Sequence, residues 1–255
     1  MKYQETTFKS LWLSLLPAIL MAALPVLVFM VEYWGDFSWY KYGILPRTWS
    51  GLKGILFSPF LHGNAQHLWS NTIPMVVLLW LIRMLYRPIF PVVFGFIWLA
   101  SGFWTWTIGG AHYVIGSSGI VYGLAAFAIT AGFISKNRQA QGIGLFTLFF
   151  YGGLIWGIFP LEFNVGISWQ GHLSGLLAGM LVALILKPGL PEKPKYSWEL
   201  EPEPEIPYED QYWRLDYVPK EEREENASEE APKVPAPVRF VYVLKRSEKD
   251  TKTPE

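Results

Sequence analysis

Three short polar motifs interrupt an otherwise apolar chain, and together they contain the parts of a hydrolytic site. In order they are HGNAQHLWSN at His62–Asn71, GSSG at Gly116–Gly119, and GHLSG at Gly171–Gly175. Polar side chains are costly inside a bilayer, so those in apolar segments are candidates for function. A serine, a histidine and a His/Asn pair supply a nucleophile, a general base and oxyanion donors, which is the chemistry of a serine protease.

The spacing of these side chains suggests a role for each. Ser118 follows a glycine-rich turn, at the expected start of a helix whose first backbone N–H groups can donate to a developing oxyanion. His67 and Asn71 are four residues apart, so they share one helical face and can donate to the same oxyanion. His172 would take the serine proton and return it to the leaving amine. Because the apolar spans contain no Asp or Glu, we predict a Ser-His dyad.

Neighbouring residues would support this arrangement. Tyr122 lies one turn below Ser118 and can pack against the imidazole of His172. His62 is five residues from His67 and would be about 140° off its helical face, at ~100° per residue. We therefore expect His62 to make a structural hydrogen bond. Glycines at 171, 175 and 179 would let the last helix approach a neighbour closely.

Charge divides the chain into two parts. Residues 1–186 carry nine Lys or Arg and four Asp or Glu, and they hold nearly all the apolar mass. The rest carries twelve Lys or Arg and seventeen Asp or Glu. We predict a membrane domain over 1–187 and a disordered cytoplasmic tail over 188–255, where eleven prolines and many glutamates cannot build a core. Neither part has the basic patterning of a nucleic-acid-binding protein.

Charged residues divide the membrane domain into uncharged runs, which are 10–31, 54–82, 88–135, 139–161 and 163–186. The third run would span ~72 Å as one helix, whereas a bilayer core is ~30 Å thick. It must therefore turn, and the signal is Gly109-Gly110. The fold predicted is an all-α bundle of six transmembrane helices. We favour a retained first helix over a signal peptide because no small-residue cleavage site follows it.

Loop charges set the expected orientation. Lys and Arg cluster on the side that holds both termini, so both termini are predicted to be cytoplasmic. Helix rise from the nearest cytoplasmic charge then puts His67, Ser118 and His172 roughly 24, 27 and 22 Å up, in the outer third of the core. The loop at 32–56 is rich in aromatic residues, and we expect it to lie in the outer interface.

These residues resemble the rhomboid family of intramembrane serine proteases over most of 10–187. The family's HxxxxHxxxN, GxSG and HxxGxxxG motifs occur in order as His62, His67 and Asn71, then Gly116 to Gly119, then His172, Gly175 and Gly179. The second motif selects Ser118, not Ser117, as nucleophile. Tyr122 matches the family's tyrosine four residues after the serine.

The resemblance implies an oxyanion hole made by His67, Asn71 and the Ser118 amide, supported by Gly116 and Gly119. It also implies a transmembrane substrate cleaved near its outer end at a small residue, without cofactor or metal. We expect a multi-pass protein of the bacterial inner (plasma) membrane. The Trp-Arg pair of many rhomboids is absent from the first loop, and Pro46–Trp49 is only loosely similar. We therefore assign that loop no catalytic part.

Other chemistries lack their residues. No HExxH motif exists for a zinc protease, and the chain has no cysteine for thiolate chemistry. The spans hold neither the two aspartates of an aspartyl intramembrane protease nor the carboxylates common in proton-coupled transporters. One alternative stays open, a non-catalytic rhomboid-like protein that binds transmembrane partners. A non-catalytic protein of this kind would be recognised by the loss of Ser118 or His172, and both residues are present.

Overall fold

The computed structural model describes residues 8–160, 168–187, 211–214 and 216–220, and their regular structure is helical, with no β-strand. The helices are α1 (Phe8–Gly35), α2 (Gly54–Phe57), α3 (Ala65–Leu85), α4 (Phe90–Ile108), α5 (Ser118–Ile134), α6 (Arg138–Tyr151) and α7 (Trp169–Ile185). Short 3₁₀ turns lie in the first loop, and a longer one, Gly152–Ile158, continues α6. The all-α prediction is confirmed.

Within the described part of the chain, four helical segments are long and apolar enough to cross a membrane. They are Leu15–Gly35, Ala65–Leu85, Phe90–Ile108 and Arg138–Ile158. Helices α5 and α7 are also apolar but have only 17 residues each. At 1.5 Å per residue each is about 26 Å long, slightly less than a ~30 Å bilayer core. Four spans are thus supported by length, and six crossings stay a prediction.

Helix α5 is the centre of the bundle. Every residue from Ile120 to Ala128 is buried, as expected for a helix that is apolar on all sides. It packs against α3, α4, α6 and α7, most extensively against α7. A Cβ atom at Gly175 or Gly179 would overlap the carbonyl oxygen of Gly119 or Gly123, so these backbones touch directly. The predicted glycine spacing therefore does bring α7 close to a neighbour.

The first loop is longer than the predicted 32–56. Helix α1 continues to Gly35, and α3 begins only at Ala65, so the connection covers 36–64. Residues 54–64 do not join α3 because Leu61 is extended and Asn64 caps the helix, accepting a 2.8 Å hydrogen bond from the His67 amide at its Oδ1. The uncharged run from 54 therefore contains loop as well as helix.

The chain divides into two compact units, Met1–Pro194 and Lys195–Glu255. In the second unit, the described residues include an exposed ion pair between Arg214 and Asp216, 2.8 Å long. Exposed pairs of this kind contribute little to stability. The predicted disorder of 188–255 concerns residues that lie mostly outside the described part of the chain, and it stays a prediction.

Candidate active site

The predicted site residues lie at the N-terminal ends of three helices. Ser118 is the first residue of α5, His67 the third of α3 and His172 the fourth of α7. Asn71 lies one turn further along α3 than His67 and is 5% exposed. Because α5 packs against both α3 and α7, the three helix starts belong to one packed group.

The imidazole of His172 is held on two sides. Its Nδ1 lies 2.9 Å from the carbonyl oxygen of Gly157. Its ring stacks on Tyr122, with centroids 4.1 Å apart and planes at 11°. A carbonyl oxygen can only accept a hydrogen bond, so Nδ1 must carry the proton and donate. In the neutral ring Nε2 is then unprotonated, which is the state that a general base requires.

Gly157 is a site residue that the sequence analysis missed. It lies in the 3₁₀ segment after α6, in a run with no recognisable motif. A Cβ atom there would overlap the Tyr122 hydroxyl and lie 3.0 Å from Nδ1 of His172. The position therefore needs glycine, because the backbone must approach both rings. Its carbonyl occupies the place that a carboxylate has in a Ser-His-Asp triad.

His67 and Asn71 converge on the turn before the serine. A Cβ atom on Gly116 would lie 2.7 Å from Nε2 of His67 and 3.6 Å from Nδ2 of Asn71. Gly116 has a φ of +110°, a conformation that side-chain-bearing residues rarely adopt. The Asn71 amide also donates to the His67 carbonyl at 3.1 Å, which leaves its second hydrogen for another acceptor. The side chains of His67 and Asn71 thus both lie next to the backbone of Gly116, two residues before Ser118.

His62 lies against His67, contrary to the expectation from helical spacing. Their rings meet edge to face, with centroids 4.9 Å apart. The helical angle does not apply because α3 begins after His62, at Ala65. The expected structural hydrogen bond has a weak counterpart in the first loop, where the Phe60 backbone interacts with the His62 ring, although neither ring nitrogen reaches full hydrogen-bond geometry. The described part of the chain does not group three His, Cys, Asp or Glu side chains as metal ligands.

A small cavity of about 30 Å³ borders Ser118. Its polar lining comes from Ser58, Ser101, Thr105, Ser118 and Ser168. This is room for about one water molecule, with several hydroxyl partners for it. The cavity also touches Gly116 and Gly119, so it adjoins the turn that His67 and Asn71 face.

Helix packing brings the residues next to Ser118 and His172 into contact. Among the described residues, no hydrogen bond joins the two side chains. Gly119, next to Ser118, would place a Cβ atom 3.3 Å from the carbonyl oxygen of Gly171, next to His172. Catalytic hydrogen bonds are often long in unliganded enzymes and tighten when substrate binds.

The first loop fastens the turn that carries the site. Ile44 and Val114 form an isolated antiparallel bridge, with N···O distances of 2.9 and 2.8 Å. The Gly116 amide donates to the Ser58 carbonyl at 2.8 Å. Residues from two points of the loop therefore hold the backbone just before Ser118.

Arg47 stabilises the start of the same turn, at the C-terminal end of α4. Its guanidinium donates to the carbonyl oxygens of Thr107, at 3.2 Å, and Gly109, at 2.7 Å, where α4 ends. These are among the carbonyls that a helix leaves without internal donors. Trp106 adds a hydrogen bond of 2.9 Å from its Nε1 to the Thr48 carbonyl. The sequence analysis assigned the first loop no catalytic role. Its contacts with the end of α4 and with the turn before Ser118 give it a structural role.

Known proteins share this domain. The family model described as Rhomboid domain matches residues 48–189, more than half of the chain. An uncharacterized protein of Mycobacterium tuberculosis is 40% identical over 151 residues, 56% of this chain and 63% of the relative. One of Mycobacterium leprae is 40% identical over 142 residues, 53% of this chain and 56% of the relative. A protein of Acanthamoeba polyphaga mimivirus that is named a rhomboid protein is 28% identical over 144 residues, 54% and 78% of the two chains.

The matches to the mycobacterial proteins cover less than two thirds of those proteins' own length. The matched domain contains all three polar motifs, from His62 to Gly179, together with helices α3 to α7. On the strength of the domain match, this chain belongs to the rhomboid family.

Proposed function

We propose that the chain is an intramembrane serine endopeptidase that cleaves transmembrane segments near their outer ends. The observation that carries this proposal is the fixed His172 ring, whose Nδ1 is 2.9 Å from the Gly157 carbonyl. That contact leaves Nε2 as the basic nitrogen, on a helix packed directly against the one that begins with Ser118. In the neutral ring this tautomer has an unprotonated Nε2, which is what a general base requires.

In the proposed mechanism, Ser118 Oγ attacks the scissile carbonyl while His172 Nε2 accepts its proton. The tetrahedral oxyanion receives hydrogen bonds from His67 Nε2, Asn71 Nδ2 and the Ser118 backbone amide. The C–N bond then breaks, and His172 returns the proton to the leaving amine, which gives an acyl-enzyme ester. Water attacks this ester with His172 again as base, and Ser118 regains its proton as the acyl group leaves.

The lengths of α5 and α7 support a site below the outer surface. Each is about 26 Å long, from 17 residues, and begins at or near a site residue. If their C-terminal ends reach the cytoplasmic face, their N-terminal ends stop a few Å short of the outer face of a ~30 Å core. A bond at that depth belongs to the outer end of a membrane segment, which is the substrate that we propose.

We further propose six crossings with both termini cytoplasmic, in a bacterial plasma membrane. The two shorter helices would add to the four long spans. The similar proteins include bacterial ones from Mycobacterium. Under this topology, the first loop lies on the outer side together with the turn before Ser118.

The alternative function is binding of transmembrane partners without cleavage. The observation in its favour is that no hydrogen bond joins Ser118 and His172 among the described residues. A rhomboid fold that only binds would not need that contact. The presence of both side chains and the fixed His172 tautomer favour the protease.

A cleavage assay separates the two functions. The purified protein would be reconstituted in liposomes with a panel of single-span test proteins that carry small residues at different depths. Mass spectrometry of the products should give cleavage confined to the outer end of the span and absent with S118A. If the wild type and S118A both bind the test proteins and neither yields a product, the chain is a binding protein and not a protease.

A further inference from the structure

A groove with a volume of about 240 Å³ opens on the surface of the α5–α6 hairpin. Its lining consists of Ile129, Gly132, Phe133, Gln141, Gly144 and Leu145, and we call it the hairpin groove. It lies near the C-terminal end of α5, 14 residues or ~21 Å from Ser118. It is therefore separate from the candidate active site.

Two glycines create the groove. A Cβ atom on Gly132 would lie 3.0 Å from the Cα of Gly144, so the two helices touch there through their backbones. The neighbouring side chains, Phe133 and Leu145, point outward and are 70% and 60% exposed. Apart from Gln141 the lining is glycine and apolar side chains, and a surface of this kind suits an acyl chain.

Two cations lie at the turn beside this groove, and no carboxylate of the described residues pairs with them. Lys136 and Arg138 lie in and just after the turn that joins the two helices, and both are exposed. Neither forms an ion pair among the described residues. The sequence contains no acidic residue between Asp36 and Glu162. Among the described residues, an anion at this end of the groove would meet the two cations and no carboxylate.

The position of Arg138 is unfavourable for the helix itself. It is the first residue of α6, where the helix dipole disfavours a cation. Asn137 already satisfies the first amides, with its Oδ1 accepting from Gln139 at 2.8 Å and Ala140 at 3.1 Å. Arg138 is thus not needed to cap α6, and its charge costs helix stability unless an anion compensates it.

We propose that the hairpin groove binds an anionic phospholipid, with one acyl chain between Phe133 and Leu145 and the phosphate at Lys136 and Arg138. The groove lies at the start of the Arg138–Ile158 span, where the apolar core gives way to headgroups. Along the membrane normal, the apolar groove is thus followed by the two cations. In a lipid, the acyl chain is followed by the phosphate in the same order. The proposal does not depend on catalysis.

Photoactivatable phosphatidylglycerol and phosphatidylcholine, each with a diazirine in one acyl chain, test the proposal. The full-length protein would be titrated with each lipid in detergent, irradiated and digested, and labelled peptides would be mapped by mass spectrometry. We expect phosphatidylglycerol to label α5 and α6 around the groove at concentrations at which phosphatidylcholine does not. The water-soluble headgroup, glycerophosphoglycerol, should not compete because it has no acyl chain.

Substitutions divide the site into its two parts. K136Q and R138Q should each weaken phosphatidylglycerol labelling about fivefold, the usual effect of one surface cation on an anionic lipid. F133A removes one wall and should also weaken it several-fold. The matched controls are R87Q, an exposed cation in the α3–α4 turn, and F149A, a side chain of α6 that is 82% exposed. Both controls should label as the wild type does.

Three results would overturn the proposal. The first is equal labelling by the two lipids, which would mean that charge is not recognised. The second is displacement by glycerophosphoglycerol, which would mean that the groove takes no part. The third is crosslinking of the groove to a second copy of the chain or to a transmembrane peptide instead of lipid.

Discussion

The fixed ring of His172 is the feature of single residues on which the proposed chemistry depends. The Gly157 carbonyl orients its Nδ1, and Tyr122 stacks on its face. A carbonyl is neutral, so it orients the ring and stabilises the imidazolium less than a carboxylate would. The proposed dyad would therefore avoid a third ionised group in an apolar environment, where an unpaired charge is costly.

The contact at Gly157 gives the sharpest test at this scale. In G157A the new methyl group would overlap the Tyr122 hydroxyl and crowd Nδ1 of His172, so the ring must move. A displacement of about 1 Å in a catalytic group can cost ~10²-fold in rate. We expect G157A to lower kcat by about that factor, measured on any cleaved test protein.

The matched control is G153A, in the same 3₁₀ segment. A Cβ atom at Gly153 meets nothing within 4 Å, so its activity should stay at the wild-type value. Equal kcat values for G157A and G153A would show that the His172 ring does not depend on this close approach.

Asn71 tests the oxyanion hole. N71A removes a donor that faces Gly116, and loss of one such donor typically costs 10²–10³-fold in kcat. We expect roughly a 10²-fold lower kcat with little change in KM, because the contact forms mainly in the transition state. The side chain is also buried, so a melting curve must accompany the assay. An unchanged kcat in a folded variant would leave Asn71 with its structural bond to the His67 carbonyl alone.

At the scale of elements, the site is a meeting of helix starts held by a loop. The N-terminal ends of α3, α5 and α7 carry the motifs, and the first loop ties down the turn between α4 and α5. A structured loop, instead of a free one, keeps the Gly116 backbone next to His67.

Arg47 tests the role of that loop. R47N removes the guanidinium that bonds the Thr107 and Gly109 carbonyls, while Asn tolerates the positive φ of 57° at this position. We expect a loss of about 1 kcal/mol in stability, as for a partly exposed hydrogen-bonding group, together with a lower cleavage rate. Thermal unfolding and turnover would be compared with K41N, an exposed cation of the same loop. If R47N and K41N behave alike, the loop is not a support for the site.

Helical spacing predicted some of these elements and could not predict others. Glycines four residues apart indicated the close approach of α7, because only small residues permit contact between backbones. The start of α3 was placed too early, since a charge-free run does not reveal the cap at Asn64. The same error led to the prediction that His62 lies away from His67, whereas the two rings are in contact. The Gly157 carbonyl gave no signal, because backbone acceptors are invisible in a sequence.

At the scale of the whole molecule, the most buried helix, α5, begins with Ser118, the proposed nucleophile. Residues 120–128 of α5 are all buried, and four neighbouring helices surround them. The six apolar segments were visible in the charge pattern, whereas their order around α5 depends on packing that no single segment encodes. Helix α7 packs on this central helix but also has an exposed apolar face, and His172, on its packed side, is 8% exposed.

The proposed topology can be tested directly because the chain has no cysteine. Single cysteines in K53C and K136C would each give one site for a membrane-impermeant maleimide on intact cells. We expect K53C to be labelled and K136C to be labelled only after lysis, since the first loop and the α5–α6 turn should lie on opposite sides. Labelling of both in intact cells would contradict six crossings with cytoplasmic termini.

Activation of one serine by one histidine is the central claim, and a fluorophosphonate probe measures it most directly. The detergent-purified wild type would be labelled beside S118A and H172A, with the modified peptide identified by mass spectrometry and folding checked by melting temperature. The account predicts labelling at Ser118 that is lost in S118A and abolished or strongly slowed in H172A. A folded, monodisperse wild type that stays unlabelled, or that reacts at Ser118 equally well without His172, would contradict it.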